Sequence, residues 1–225
     1  MNIAIRSLLG VLLGAAGLMA AESAFAAEDV PGCGNLVNAY GPYDYRTDKK
    51  HLAIVERHHF SSAVNHASSP RLVGDLDYTL RAFPNHHEAL LAMMKVHLRE
   101  KKTKLPQASF SIECYFLRAE TWRPDDAVVK MIFGLFLVQA GQPQLGVQKL
   151  EAAKALGVAD PNIPYNTGLA YFQMGEYDKA LASAHEAYRM GHPLPGLRNL
   201  LEKAGRWKEA NAAPTAPTSA TAPAQ

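Results

Sequence analysis

The feature that most constrains this chain is an internal repeat with a period of 34 residues. The segment FGLFLVQAGQPQLGVQKLEAAKA, residues 133–155, recurs as TGLAYFQMGEYDKALASAHEAYR, residues 167–189. Gly141 and Gly175 occupy the same place in the two copies, between two stretches with helical periodicity. Glycine is the residue most often found in the left-handed conformation that ends a helix. Each copy therefore predicts two helices joined at this glycine.

Small residues also recur at fixed places within the two copies. Gly134 aligns with Gly168, and Gly146 aligns with Ala180. Small side chains allow two helix backbones to approach closely, whereas larger ones fill the space beside the crossing. The repeat therefore predicts paired helices that cross at these positions, and Pro161 and Pro195 mark the starts of successive units.

The second copy resembles the tetratricopeptide repeat family. The residues that match its pattern are Gly168, Tyr171, Gly175, Tyr177, Ala180 and Ala187, whereas Pro164, Thr167 and Ala184 depart from it. With GPYDYR and GDLDYTLRAFPNHH, the chain is also similar to an uncharacterised group of exported proteobacterial proteins of this family, and this resemblance implies no activity. It implies an all-α fold: a short TPR-like helix-turn-helix solenoid with an irregular amino-terminal segment.

The repeat can be extended in both directions from its two clear copies. Pro84 aligns with Pro124 at a spacing of 40 residues, with the extra residues in a longer turn, and this register places Phe116 and Ala119 in the core and His86 at a helix start. We expect a repeat domain over residues 70–210, divided into units at about 85–126, 127–160 and 161–194 and a closing helix at 195–210. Leu72, Leu76, Leu80 and Phe83 have helical spacing and predict the second helix of a leading half-unit.

Both ends of the chain have different patterns from the repeat. Residues 1–26 are typical of a secretory signal peptide, with Arg6, an apolar run and the small-residue site Ala24-Phe25-Ala26, and an uncleaved anchor is the alternative. Cleavage predicts a periplasmic or secreted protein with no membrane span after signal removal. Residues 27–69 form no evident repeat, although Asp48 is placed to cap a helix. Residues 211–225 are rich in Pro, Thr and Ala, and we expect them to be disordered.

The cysteine and histidine residues suggest two kinds of cross-link, a disulfide and a metal site. Cys33 and Cys114 are the only cysteines, and in an oxidising compartment they are expected to form a disulfide, with two buried thiols as the alternative. Histidines are dense between residues 51 and 97, and a copper or zinc site is conceivable from His58, His59, His66 and His87. The default interpretation is scattered surface and capping histidines, with no metal and no cofactor.

The remaining patterns favour binding over catalysis. The chain has no Gly-x-Ser-x-Gly elbow, phosphate loop or His-Glu-x-x-His motif, so we expect no enzyme. A formal net charge of +2 is too small to indicate nucleic-acid binding. The resemblance instead implies a protein or peptide partner in the cell envelope, or the chain's own residues 28–69, in a concave groove. Its expected lining is Leu91, Lys95, Leu98, Arg99, Val128, Met131, Leu135, Val138, Tyr165, Leu169, Phe172 and Gln173.

Overall fold

The computed structural model describes residues 29–38, 40–61, 71–102 and 104–209. The predicted signal peptide, His66 and the carboxy-terminal run 211–225 lie outside these ranges. The regular secondary structure of the described part is almost entirely helical, which confirms the all-α prediction.

The helices follow one another with short connections. In chain order they are α1 (Lys49–Val55), α2 (Leu72–Ala82), α3 (His87–Glu100), α4 (Ile112–Trp122), α5 (Ala127–Gln139), α6 (Pro143–Ala155), α7 (Asn162–Gln173), α8 (Tyr177–Arg189) and α9 (Gly196–Lys203). Helix α1 continues directly into a π-helical segment, Glu56–Phe60. A minimal antiparallel hairpin, β1 (Asp29–Val30) with β2 (Gly34–Asn35), precedes them.

The predicted helix ends are confirmed by the backbone and by side-chain caps. Gly141 and Gly175 have positive φ angles of 80° and 75°, the left-handed conformation expected after α5 and α7. His86 and Asp126, which the 40-residue register aligns, both cap the helices that follow them through their side chains. The Asp48 side chain accepts a hydrogen bond from the backbone N–H of His51, 3.1 Å away, and so begins α1.

The helices pack in two layers. Helices α3, α5, α7 and α9 contact one another in succession and form one layer, whereas α4, α6 and α8 each pack against their neighbours in that layer. Helix α2 packs against both the π-helical segment and α3. We refer to the first layer as the inner layer and to the second as the outer layer.

The closest helix crossing joins α5 to α6 at Gly134 and Gly146. A Cβ added to Gly134 would lie 2.8 Å from the carbonyl oxygen of Gly146, and a Cβ on Gly146 would lie 2.8 Å from that of Gly134. In the next unit, a Cβ on Gly168 would lie 3.2 Å from the carbonyl oxygen of Ala180. The predicted role of the small residues at this crossing is therefore confirmed.

The main core is built from apolar faces of α2 to α7. Phe116 is fully buried and its ring stacks on Phe133 with the centroids 4.8 Å apart, while Ala119 is also fully buried. Leu76 and Phe83 have no exposed surface. These residues confirm the predicted core positions on α2 and α4.

A buried carboxylate fixes the long turn between α3 and α4. Asp77, only 4% exposed, accepts hydrogen bonds from the Tyr115 hydroxyl, from the backbone and hydroxyl of Ser109, and from Arg81. Burial, followed by the hydrogen bond to Asp77, raises the pKa of Tyr115. This arrangement was not predictable from the sequence, because an aspartate on an amphipathic helix is usually exposed.

The first part of the amino-terminal segment is attached to α4. Cys33 and Cys114 form a disulfide that closes a sequence separation of 81 residues, as predicted. Nη1 of Arg118 donates to the carbonyl oxygens of Cys33, Gly34 and Asn35 at 2.8 to 3.2 Å, so this buried cation holds the hairpin by its backbone. The hairpin therefore covers the outer layer.

The second part of the segment packs against α2 and the turn that follows it. Leu52 and Val55 of α1 are buried in a small cluster with Phe83, and Tyr43 stacks nearby on His51 with centroids 4.1 Å apart. Phe60 joins the main core, whereas Ile54 is exposed. Apart from Phe83, the apolar side chains named above belong to residues 28–69, the alternative occupant of the predicted groove. They pack instead against α2 and the turn after it, join the main core, or are exposed to solvent.

The closing helix is shorter than the sequence predicted. Helix α9 ends at Lys203, and Gly205, with a φ of 66°, turns the chain back so that Trp207 lies near Tyr188 of α8. The prediction of a helix over residues 195–210 was wrong at its carboxyl end, because Gly205 favours the left-handed conformation that ends a helix.

Overpacking of the second crossing tests the repeat geometry. Ala180 is fully buried, so we expect Ala180→Leu to lower the free energy of unfolding by about 1 to 3 kcal/mol. Ala182→Leu on the exposed side of the same helix is the matched control and should change it by less than about 0.5 kcal/mol. Urea denaturation followed by circular dichroism measures both, and equal effects would contradict the predicted crossing.

The disulfide should contribute to stability mainly by restricting the unfolded chain. In the loop-entropy description, a loop of this length corresponds to about 4 kcal/mol. We expect the double variant Cys33→Ser/Cys114→Ser to lose about this amount in urea denaturation, and the reduced natural chain to lose a similar amount. An unchanged unfolding midpoint in both would show that the cross-link adds nothing to the hairpin contacts.

Candidate functional site

The predicted groove residues lie on three neighbouring helices of the inner layer, α3, α5 and α7. Lys95, Arg99 and Gln173 are exposed, and Met131 is buried with 8% of its surface exposed. The others are half-buried, at the boundary between core and solvent: Leu91, Leu98, Val128, Leu135, Val138, Tyr165, Leu169 and Phe172. The arrangement divides into two parts with different surroundings.

The first part of the predicted groove lies along one face of α3 and at the carboxyl end of this helix. Leu91, Lys95, Leu98 and Arg99 are spaced along one helix face, and the two leucines pack partly against the main core. The basic residues are exposed and continue beyond the helix as Lys101, Lys102 and Lys104. Arg99 contacts the adjacent Glu100 at 3.1 Å. None of the four lysines has a carboxylate within 4.0 Å in the part of the chain that is described.

Helix α5 supplies the apolar continuation of this surface. Leu135 and Val138 are half-buried against the main core. The Val138 side chain lies beside Gly146 at the crossing with α6, so its predicted place in the groove was wrong. Asn166 of α7 donates a hydrogen bond to the Met131 sulfur at 3.6 Å and another to the carbonyl oxygen of Asn162 at 2.9 Å. Sequence reasoning missed Asn166, although an asparagine inside a helix is unfavourable enough to suggest a specific contact.

The second part of the predicted groove, on α7, is covered by the carboxy-terminal end of the array. Tyr165 stacks on the His192 ring with centroids 3.7 Å apart. Leu169 and Phe172 pack in the cluster formed around Leu197 and Leu201 of α9. The surface with both apolar and charged groups is therefore concentrated on α3 and α5.

A polar network joins the amino-terminal segment to the starts of α3 and α5. Asp44, 7% exposed, accepts hydrogen bonds from Arg46, from Arg123 at 2.6 Å and from Asn85 at 2.8 Å. Burial alone would raise the pKa of Asp44, but the hydrogen bonds from Arg46, Asn85 and Arg123 outweigh it and hold the pKa well below its usual range. These groups neutralise one another, which indicates a structural role.

The same network extends to the cap of α5. Asn85 donates to Asp126 at 3.0 Å, and the Nε2 atom of His87 lies 2.9 Å from the same carboxylate. Burial opposes ionisation of Asp126, but the hydrogen bond from His87 and its positive charge lower the pKa of Asp126. Asp126 therefore fixes the α2–α3 turn and caps α5 at once.

His86 lies at the centre of this region and has no exposed surface. Its Nδ1 atom accepts the backbone N–H of Ala89 at 3.2 Å, which confirms the predicted cap, and its ring packs between Tyr45 and Phe60. Its Nε2 atom lies 3.4 Å from a Glu56 oxygen and has no hydrogen-bond partner. Burial, and to a smaller extent the nearby His87, lowers the pKa of His86 to about 3.

The histidines proposed as metal ligands do not converge. His58 is exposed, Nδ1 of His59 pairs with Asp75 at 3.0 Å, and His87 pairs with Asp126. His66 lies outside the described residues. Across residues 29–209, leaving aside the undescribed positions, no three His, Cys, Asp or Glu side chains are grouped so that they could hold a metal ion.

Comparisons with known proteins add no assignment. No protein-family model matches the chain, and no curated protein matches it. Among the helices that the structure describes, none is both long and apolar enough to cross a membrane.

The burial of His86 predicts a pH dependence of stability. As the pH falls from about 6.5 towards about 3, the unfolded chain binds a proton on this imidazole that the folded chain excludes, so the free energy of unfolding should decrease. One such group contributes a slope of about 1.4 kcal/mol per pH unit.

His86→Asn keeps a capping acceptor and should remove this slope, even if it lowers stability at neutral pH. The control His58→Asn changes an exposed histidine nearby and should leave the slope in place. Urea titrations at several pH values between about 4 and 7 measure it. An unchanged slope in His86→Asn would mean that other groups carry the pH dependence.

Proposed function

We propose that this chain is an exported tetratricopeptide-type interaction protein of the cell envelope that binds a protein or peptide partner. The binding surface is the face of α3 and α5 formed by Leu91, Lys95, Leu98, Arg99 and Leu135. The protein acts as a scaffold and performs no chemistry at this surface.

The observation that supports this proposal is the contrast between apolar and charged groups on the same face. Lys95 projects into solvent without a neighbouring carboxylate, and Arg99 contacts only the adjacent exposed Glu100 among the described residues. The half-buried Leu91 and Leu98 lie on the same face of α3. Apolar surface next to the unpaired ammonium group of Lys95 is complementary to a segment with apolar and acidic side chains.

The location in the envelope is supported by the cross-link between Cys33 and Cys114. Disulfides persist in the periplasm and outside the cell and are rare in the cytosol. The signal-peptide pattern of residues 1–26 points to the same compartment.

Site-specific photo-crosslinking in intact envelopes tests the proposed surface. We expect a photoreactive residue at Leu98 or Leu135 to capture a partner band. Leu117 on α4 and Leu145 on α6 are exposed leucines of the outer layer, 39% and 47% exposed, and are the matched controls. Equal capture at the outer positions, or none at the inner ones, would contradict the proposal.

Charge reversal tests the chemistry of the partner. The double variant Lys95→Glu/Arg99→Glu should reduce the crosslinking yield about tenfold, since two exposed pairs are each worth up to about 1 kcal/mol. Lys50→Glu, an exposed lysine on α1, should leave the yield unchanged. An increased yield in the double variant would indicate a basic partner instead.

A further inference from the structure

A separate cleft of about 470 Å³ lies at the carboxy-terminal end of the array. It is bounded by the end of α8, the loop before α9 and the residues that follow α9. Its lining is His185, Tyr188, Arg189, His192, Pro193, Pro195, Arg198, Trp207 and Glu209. The volume is in the range of sites that hold small ligands or short peptides.

The chain folds back after α9 to form one wall of this cleft. The backbone N–H groups of Arg206 and Trp207 both donate to the carbonyl oxygen of Leu201, at 2.8 and 3.2 Å. The indole N–H of Trp207 donates to Glu209 at 3.1 Å, and the Nε2–H of His185 donates to the carbonyl oxygen of Lys208 at 2.7 Å. The wall is therefore fixed at both its start and its end.

The aromatic rings in the cleft meet at steep angles. The Tyr188 and Trp207 rings are 6.2 Å apart and inclined by 69°, and the His185 and Trp207 rings are 5.0 Å apart and inclined by 82°. Proline rings on a polyproline II ridge fit aromatic-lined grooves of this kind.

The charges near the cleft are largely compensated. Arg198 lies 4.9 Å from the centre of the Trp207 ring and pairs with Glu202 at 2.7 Å and with Glu209 at 3.0 Å. Arg189 is at the exposed rim. A cleft whose central cation is already paired favours an uncharged ligand over an acidic one.

The chain itself contains an uncharged proline-rich segment next to this wall. Residues 210–225, ANAAPTAPTSATAPAQ, begin immediately after Glu209 and contain no charged side chain. Pro214 and Pro217 form a Pro-x-x-Pro motif, and in polyproline II the two prolines lie on the same side about 9 Å apart. Pro214 is the fifth residue after Glu209, a reach of up to about 17 Å.

We propose that the Pro214–Pro217 motif of the same molecule binds in the cleft lined by Tyr188, His192 and Trp207. The short tether gives the motif an effective concentration in the millimolar range, so even a weak contact is occupied. Docking would cover the aromatic end of the array. This inference is independent of the surface proposed on α3 and α5.

Two-dimensional ¹H–¹⁵N NMR of the full chain tests the proposal through the indole N–H signals of Trp122 and Trp207, assigned with Trp207→Phe. We expect the double variant Pro214→Ala/Pro217→Ala to shift the Trp207 signal and not the Trp122 signal. Pro223→Ala lies outside the motif and is the matched control, with no shift expected. A synthetic peptide of residues 210–225 added to the double variant should return the Trp207 signal towards its position in the natural chain.

Three results would overturn the proposal. The first is a Trp207 signal that is identical in the natural chain and the double variant. The second is a shift of the same size in Pro223→Ala, which would remove the role of the motif. The third is a Trp207 position that changes with protein concentration, which would place the segment of one copy in the cleft of another.

Discussion

The backbone contact between Gly134 and Gly146 determines how the rest of the array is arranged. Each glycine leaves no room for a Cβ against the carbonyl oxygen of the other, so α5 and α6 approach more closely than larger residues at these positions would allow. This crossing sets the position of α6, against which α7 packs. The next crossing repeats the geometry with Gly168 and Ala180 at a slightly larger separation. The two layers follow from these repeated crossings.

A repeat array exposes apolar surface at both ends, and each end must be covered by other residues. At the amino-terminal end, the disulfide and Arg118 hold the hairpin on α4, and Asp44 connects the following residues to the starts of α3 and α5. At the carboxy-terminal end, α9 contributes Leu197 and Leu201, and Trp207 folds back beside α8. The amino-terminal end is therefore covered with the help of a disulfide and buried charged groups, and the carboxy-terminal end by aromatic and apolar packing.

The sequence predicted what local patterns determine and failed where distant residues decide. The helix pairs, the turns at Gly141 and Gly175 and the cap at His86 follow from periodicity and from the conformations that glycine and capping residues favour. The complete burial of His86 was not predictable, because it depends on Tyr45 and Phe60 from a segment without repeats. The covering of Tyr165 by His192 depends in the same way on where the chain runs after α8. These contacts join residues whose separation carries no periodic signal.

The lysines on and after α3 differ from several other lysines of the array in having no carboxylate partner among the described residues. Elsewhere in the array, Lys130 of α5 and Lys149 of α6 share Glu120 of α4, and Lys154 of α6 pairs with Glu186 of α8, so these cations are compensated between helices. At the end of α3, lysines follow one another without such partners in the described residues. Cations at a helix carboxyl end are favoured by the helix dipole, but that effect falls off within the last turn and does not extend to Lys95. The unpaired ammonium group of Lys95 beside Leu91 and Leu98 is the charge that the proposed acidic partner would neutralise.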